Sequence, residues 1–180
     1  MRYLILLLFI SSFVNASPIA VIGDSMTANP SSWANLIDDR GQKMYIMAQP
    51  GRSIRDYQMP RDFYAYEGYY TDVVYFIGSS DIYDRTHFLR IERNINEHLS
   101  FLLERGFNVI VILPTIYEGR PVESRIVRSV MRRVCQKHGI PFIDLIEVWD
   151  SSWTFDGAHP NEYGHRVLAD FIYQRMMELL

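Results

Sequence analysis

The sequence predicts an α/β domain, a three-layer α/β/α sandwich around a five-stranded parallel sheet. Two observations carry that expectation. Five short apolar runs, rich in β-branched and aromatic residues, each stop at turn-forming residues, as strands buried on both faces do. Between them lie segments with apolar residues at steps of three and four, the mark of helices that bury one stripe. Alternation of this kind favours a parallel sheet with right-handed crossovers.

Taken in order, the first run is Pro18-Ile19-Ala20-Val21-Ile22, ending at Gly23. Residues 31–39 follow as a short helix with Ser31 or Ser32 as its cap. Lys43-Met44-Tyr45-Ile46-Met47 is the second run and Asp72-Val73-Val74-Tyr75-Phe76-Ile77 the third. Residues 53–70 between them give the least definite pattern, being aromatic and interrupted by Pro60 and Gly68. Phe88, Ile91, Ile95, Leu99 and Leu102 mark a long helix that stops at Arg105-Gly106, a basic last turn and a glycine cap. Asn108 to Leu113 is the fourth run. Residues 122–137 form a helix stopping at His138-Gly139, and Pro141 to Leu145 is the fifth run. A last helix over 162–180 carries Val167, Leu168, Phe171, Ile172, Met176 and Leu179 on one stripe.

The 180 residues, 48% of them hydrophobic, suit one domain that buries about two-thirds of its unfolded surface. Residues 1–16 stand apart. Arg2 is basic, residues 3–14 are apolar, and Val14-Asn15-Ala16 resembles the end of a secretory leader. This reads as a cleaved signal peptide, since the run is shorter than the roughly 20 apolar residues that span a bilayer. An uncleaved anchor is the alternative. The expectation is an exported protein, periplasmic or secreted, whose single domain is residues 17–180 and which has no stable membrane insertion after cleavage.

Removing Arg2 leaves 17 basic and 21 acidic residues, a formal charge of −4. That balance gives no support to nucleic-acid binding. Arg125, Arg128, Arg132, Arg133 and Lys137 recur at helical spacing and read as a solvated face. Cys135 is the only cysteine, so no internal disulfide forms; among Val127, Val130, Met131 and Val134 it reads as a small buried residue. No His/Cys cluster has metal-ligand spacing and no glycine-rich phosphate loop follows the first run. Neither a metal nor a cofactor is expected, and a flavodoxin-like cofactor protein, which shares the alternation, is disfavoured.

The chemistry-bearing residues sit after strands. Gly23-Asp24-Ser25-Met26-Thr27 follows the first run, Gly51-Arg52-Ser53 the second, and Gly78-Ser79-Ser80-Asp81 the third. Asp156-Gly157-Ala158-His159-Pro160-Asn161 precedes the last helix. A parallel sheet gathers such strand ends at one edge, where ligands bind.

These blocks resemble the SGNH (GDSL) hydrolase family of esterases, lipases and acetyl esterases. Gly23-Asp24-Ser25-Met26 is similar to its first block, with Met in place of Leu. Asp156 to Asn161 is similar to its Asp-x-x-His block, and Gly51 stands where the family has its second-block glycine. The third block departs: the family has Gly-x-Asn-Asp, and here Ser80 stands in the Asn position. The resemblance spans Ile19 to the final helix. It implies a flavodoxin-like SGNH fold and an acyl-serine mechanism. Ser25, Asp156 and His159 would be catalytic, and Ser25, Gly51 and Ser80 would form the oxyanion hole.

The residue chemistry supports the same roles. A serine hydroxyl needs a base within hydrogen-bond reach, and an imidazole titrates near the working pH. A carboxylate must hold that imidazole in one tautomer, and Asp156 precedes His159 by three residues. Each residue also has an ordinary alternative: Ser25 as a helix cap, His159 as a surface turn residue, Asp156 as the turn former of Asp-Gly. His165 competes as base but lacks a carboxylate at matching spacing. His87, His98 and His138 read as exposed.

Substrate signals are thinner. Tyr57, Phe63, Tyr64, Tyr66, Tyr69 and Tyr70 read mostly as core packing. Of Trp149 and Trp153, Trp153 is the aromatic expected to meet a substrate. Arg52, beside Gly51, is expected either to meet an anionic group or to be solvated. The favoured substrate is a small-molecule or glycan ester with a short acyl group, acetyl above all. A short-chain lipid ester or lysophospholipid is the second choice. A catalytically weak glycan- or envelope-binding module on the same fold is the alternative of a different class.

Overall fold

The computed structural model describes residues 17–59, 63 and 69–180. The leader expected over residues 1–16, and Tyr64 and Tyr66, lie outside them. Strands β1 (Ile19–Gly23), β2 (Met44–Ala48), β3 (Asp72–Phe76), β4 (Asn108–Leu113) and β5 (Phe142–Asp144) form one sheet in the order β2-β1-β3-β4-β5. Every pairing is parallel. Helices α1 (Ser25–Ala28), α2 (Trp33–Asp39), α3 (Ser79–Tyr83), α4 (Phe88–Glu104), α5 (Pro121–His138) and α6 (Glu162–Leu179) complete the alternation. This is the doubly wound α/β architecture that the strand and helix patterns predict.

Alternate residues of each strand feed two cores. Ala20, Ile22, Val73, Tyr75, Val109 and Val111 face a cluster with Ile91, Ile95 and Leu99 of α4 and Val127, Val130 and Val134 of α5. Ile19, Val21, Val74, Phe76, Ile110 and Ile112 face one with Trp33 and Ile37 of α2 and Leu168, Ile172 and Met176 of α6. Both faces of the sheet are therefore covered, which is why the strands are apolar throughout rather than alternating. Among the described residues, no helix is long and apolar enough to cross a membrane.

Strand order reverses at β1: the chain leaves it toward β2 on one side, then crosses to β3 on the other. The crevice at such a switch point is where doubly wound sheets bind ligands. The loops after β1 and β3 meet there.

Two expectations from side-chain type are corrected. The arginine face of α5 is not uniformly solvated. Arg128 is buried and holds Asp144 at 2.7 and 2.9 Å, with Arg132 on the same carboxylate. Arg128 also donates to the Pro114 carbonyl, so it ties α5 to the ends of β4 and β5. His98 is not exposed. It is buried between the Tyr75 hydroxyl at 2.9 Å and the Tyr57 carbonyl at 3.0 Å. A helical spacing identifies a face, but these partners come from other elements. Cys135 is buried as its apolar neighbours predict, and burial pushes its thiol up to about 12.

Candidate active site

β1 ends where its side chains stop alternating between cores, and Asp24 turns the chain into α1. Its carboxylate caps the helix by accepting from the Met26 amide at 3.0 Å. Its other oxygen accepts from the amides of Gly78 and Ser79 at 3.2 and 3.0 Å. One fully buried side chain thus joins the ends of β1 and β3 and fixes Ser25 against the third block. Burial outweighs those amides and raises Asp24 above the ordinary carboxylate range. Gly23 is forced by crowding: a Cβ there would lie 2.5 Å from Cβ of Thr27.

Ser25 Oγ lies 2.9 Å from His159 Nε2, and His159 Nδ1 lies 2.6 Å from Asp156 Oδ2. Burial alone would raise Asp156, but the amides of His159 and Ala158 and the His159 ring hold it below its ordinary value. Asp156 is therefore an acceptor, so Nδ1 carries the imidazole proton and Nε2 is free to accept from the serine hydroxyl. Asp156 Oδ1 meanwhile accepts from the His159 amide at 2.7 Å and the Ala158 amide at 3.0 Å. The same carboxylate shapes the turn and orients the ring.

The loop carrying this pair is braced at its base. Thr154 and Pro160 form an antiparallel bridge, and the Asn161 amide donates to the Trp153 carbonyl at 2.6 Å. Asn161 then caps α6 through the Gly164 amide at 2.9 Å. Trp153 packs edge-on against Tyr163 and crowds Gly164, so its described contacts support this loop. The aromatic beside the imidazole is Phe155, whose ring is parallel to His159 within 10° at 6.3 Å and is 67% exposed. Spacing in the sequence singled out Trp153 and missed Phe155. Only the bridge reveals which of the two turns toward the ring.

Ser25, Gly51, Ser79, Ser80, Tyr83, Asp84, Tyr117, Ala158 and His159 line one open cavity of about 270 Å³. Four of the sequence-selected residues, Ser25, Gly51, Ser80 and His159, therefore share a wall, and Asp156 stands behind His159. Gly51 has a φ of 76°, and a Cβ there would meet no protein atom. Its glycine serves the left-handed backbone of the turn after β2. Arg52 is not in that wall. Its guanidinium donates to the carbonyl of Met47 and, at 3.3 Å, to that of Gly23, and lies over the Tyr57 ring. These contacts hold the guanidinium against the strand ends, and Arg52 lines a neighbouring cavity with Gln49, Gly51 and Asp56. His165 is buried and outside the wall; burial and the nearby His159 lower it to about 4.

Asp81 holds the second-block loop, accepting from the amides of Ile54 at 2.6 Å and Arg55 at 3.3 Å. Burial outweighs these bonds and lifts its carboxyl to about 6. Unfolded, it would ionise near the ordinary aspartate value of 3.8. Between those values the unfolded chain has released a proton that the folded protein keeps, so this contribution to stability is full below the lower value and falls as pH rises to the upper one. The loss is roughly 3 kcal/mol. In urea denaturation at pH 4 and pH 7, Asp81→Asn is expected to lose less stability over that interval than the wild type. Equal losses in both proteins would contradict the assignment.

A hydroxyl, an imidazole and a carboxylate in hydrogen-bonded sequence at a cavity wall are the arrangement of a serine hydrolase, here on an α/β architecture. The chain belongs to the GDSL-like Lipase/Acylhydrolase family, whose model matches residues 21–167. Among solved structures it is similar to an α/β-hydrolase enzyme from the metagenome of Lake Arreo, Spain: 18% identity, 93% of this chain and 98% of that one, TM-score 0.78. It is also similar to the native aryl esterase of M. smegmatis: 17% identity, 92% and 100% coverage, TM-score 0.74. A third is the acetyl xylan esterase AlAXEase: 16% identity, 88% and 98% coverage, TM-score 0.75. No curated protein sequence matches the chain.

Proposed function

We propose that the protein is an exported esterase that removes short acyl groups, acetyl above all, from a glycan. In this reading Ser25 Oγ attacks the ester carbonyl and its proton passes to His159 Nε2. The alkoxide leaves with that proton, and a water repeats the sequence in reverse to free Ser25. The observation that carries the reading is the unbroken contact from Ser25 through His159 to Asp156 at the cavity wall.

The preference for a short acyl group rests on the cavity, which is small and has stacked Tyr83 and Tyr117 rings in its wall. The glycan rests on Phe155. His159 hands its proton to the leaving oxygen, so the alcohol portion passes near the imidazole, beside an exposed aromatic face suited to a sugar ring. The acetyl xylan esterase similarity accords with that choice. Export rests on the leader-like residues 1–16.

Nitrophenyl acetate is expected to be hydrolysed with kcat/KM at least about tenfold above nitrophenyl octanoate, since a pocket's rejection of even one additional methylene is worth roughly 1–3 kcal/mol and octanoate carries more than one. Phe155→Ala should raise KM for an acetylated polysaccharide and leave nitrophenyl acetate unaffected. An equal effect on both substrates would remove the sugar platform. Mass measurement of the protein recovered outside the cytoplasm checks the leader, with a mature chain beginning at Ser17 as the expected result.

A further inference from the structure

Attack on an ester carbonyl moves the C=O electron pair onto oxygen, and that anion requires donors fixed in advance. Of the nine residues lining the cavity, none carries a side-chain amide, a lysine or an arginine. Its uncharged side-chain donors are the hydroxyls of Ser25, Ser79, Ser80, Tyr83 and Tyr117, and Ser25 is the attacking group. Tyr83 is half exposed at the rim. Ser80 is only partly buried, and its hydroxyl is short.

Tyr117 differs from Tyr83 and Ser80. It is 1% exposed, yet its hydroxyl has no hydrogen-bond partner. Buried hydroxyls are ordinarily paired, so an orphan in a cavity wall calls for an explanation, and a catalytic role is one. Tyr117 follows β4 and stacks on Tyr83 with ring centroids 5.7 Å apart, which fixes its ring. The neighbouring Ser79 hydroxyl is buried and unpartnered too. Burial and the nearby Asp24 charge keep the phenol protonated, and the Ser79 hydroxyl beside it opposes them only in part.

We infer that the Tyr117 hydroxyl donates to the oxyanion, taking the place of the amide that the third block lacks. In the tetrahedral intermediate the Ser25 proton is on His159 and the negative oxygen accepts from Tyr117, which keeps its own proton. Collapse restores the carbonyl and the leaving alkoxide takes the proton from His159.

The inference rests on Ser25 as nucleophile, and two substitutions separate it from that reading. Tyr117→Phe should lower kcat for nitrophenyl acetate by on the order of 10²-fold, with KM nearly unchanged. Its thermal midpoint should stay level or rise, because a hydroxyl without a partner is removed. Ser80→Asn supplies an amide at the third block, so Tyr117→Phe should do little harm in that background. Four results would overturn the inference: kcat unchanged in Tyr117→Phe, a rise in KM alone, a drop in midpoint, or an equal loss in both backgrounds. A wild type no faster than Ser25→Ala would defeat the esterase reading itself. A Ser25-dependent enzyme indifferent to Tyr117→Phe defeats only the role of Tyr117.

Discussion

Ser25→Ala is expected to reduce kcat for a short ester by about 10⁶-fold, the scale on which removal of a nucleophile from a triad acts. The alanine keeps the backbone of α1 and the cap from Asp24, because neither uses the serine side chain. Stability should therefore change little, and the loss should lie in kcat rather than in binding. Ser25→Ala combined with His159→Ala should be hardly worse than either alone, since the two residues act as one unit. Labelling with a fluorophosphonate provides an independent measurement. One equivalent should attach to the wild type, at Ser25, and none to the variant. Labelling that persists in Ser25→Ala would place the nucleophile elsewhere.

Asp156→Asn should reduce kcat by about 10⁴-fold through a different physical route. An amide of the same shape can donate to Nδ1, which favours the tautomer with its proton on Nε2. That proton faces Ser25 Oγ at 2.9 Å, and the base is lost while the geometry persists. Part of the effect is structural. Asp156 also accepts from the amides of Ala158 and His159, and a neutral acceptor holds them less firmly. Two measurements separate these contributions. The pH–rate profile of kcat reports the altered base, and the thermal midpoint reports the loosened turn. A variant with the wild-type profile and rate would remove Asp156 from the mechanism.

Local sequence was enough for the residues of the nucleophile and base blocks, because both are short and turn-bounded. Ser25 follows a strand whose apolar run stops at Gly23. Asp156 and His159 lie within one turn, so their contact follows from a spacing of three. Asp24 was not legible in this way. It stands inside the first block, but the amides it accepts from belong to Gly78 and Ser79, more than fifty residues further on. The same applies to Arg128, whose helical spacing says nothing of Asp144 at the end of β5. Phe155 and Trp153 are two positions apart, and the Thr154–Pro160 bridge decides which accompanies the imidazole.

The sequence by itself determined the α/β class, through the period of its apolar residues, and singled out Ser25, Asp156 and His159 as a candidate triad, through local motifs. Periodicity reports which side of an element faces a core, and a motif reports chemistry within a few bonds. Neither reports what crosses from one strand end to another. Only the tertiary structure drew Arg52 inward onto strand carbonyls, buried His98 between two tyrosines, and brought Tyr117 from the end of β4 into the wall shared with Ser25. The reason is the parallel sheet. It places residues distant in the chain at one edge, and which of them then pair is decided by geometry and burial rather than by sequence separation.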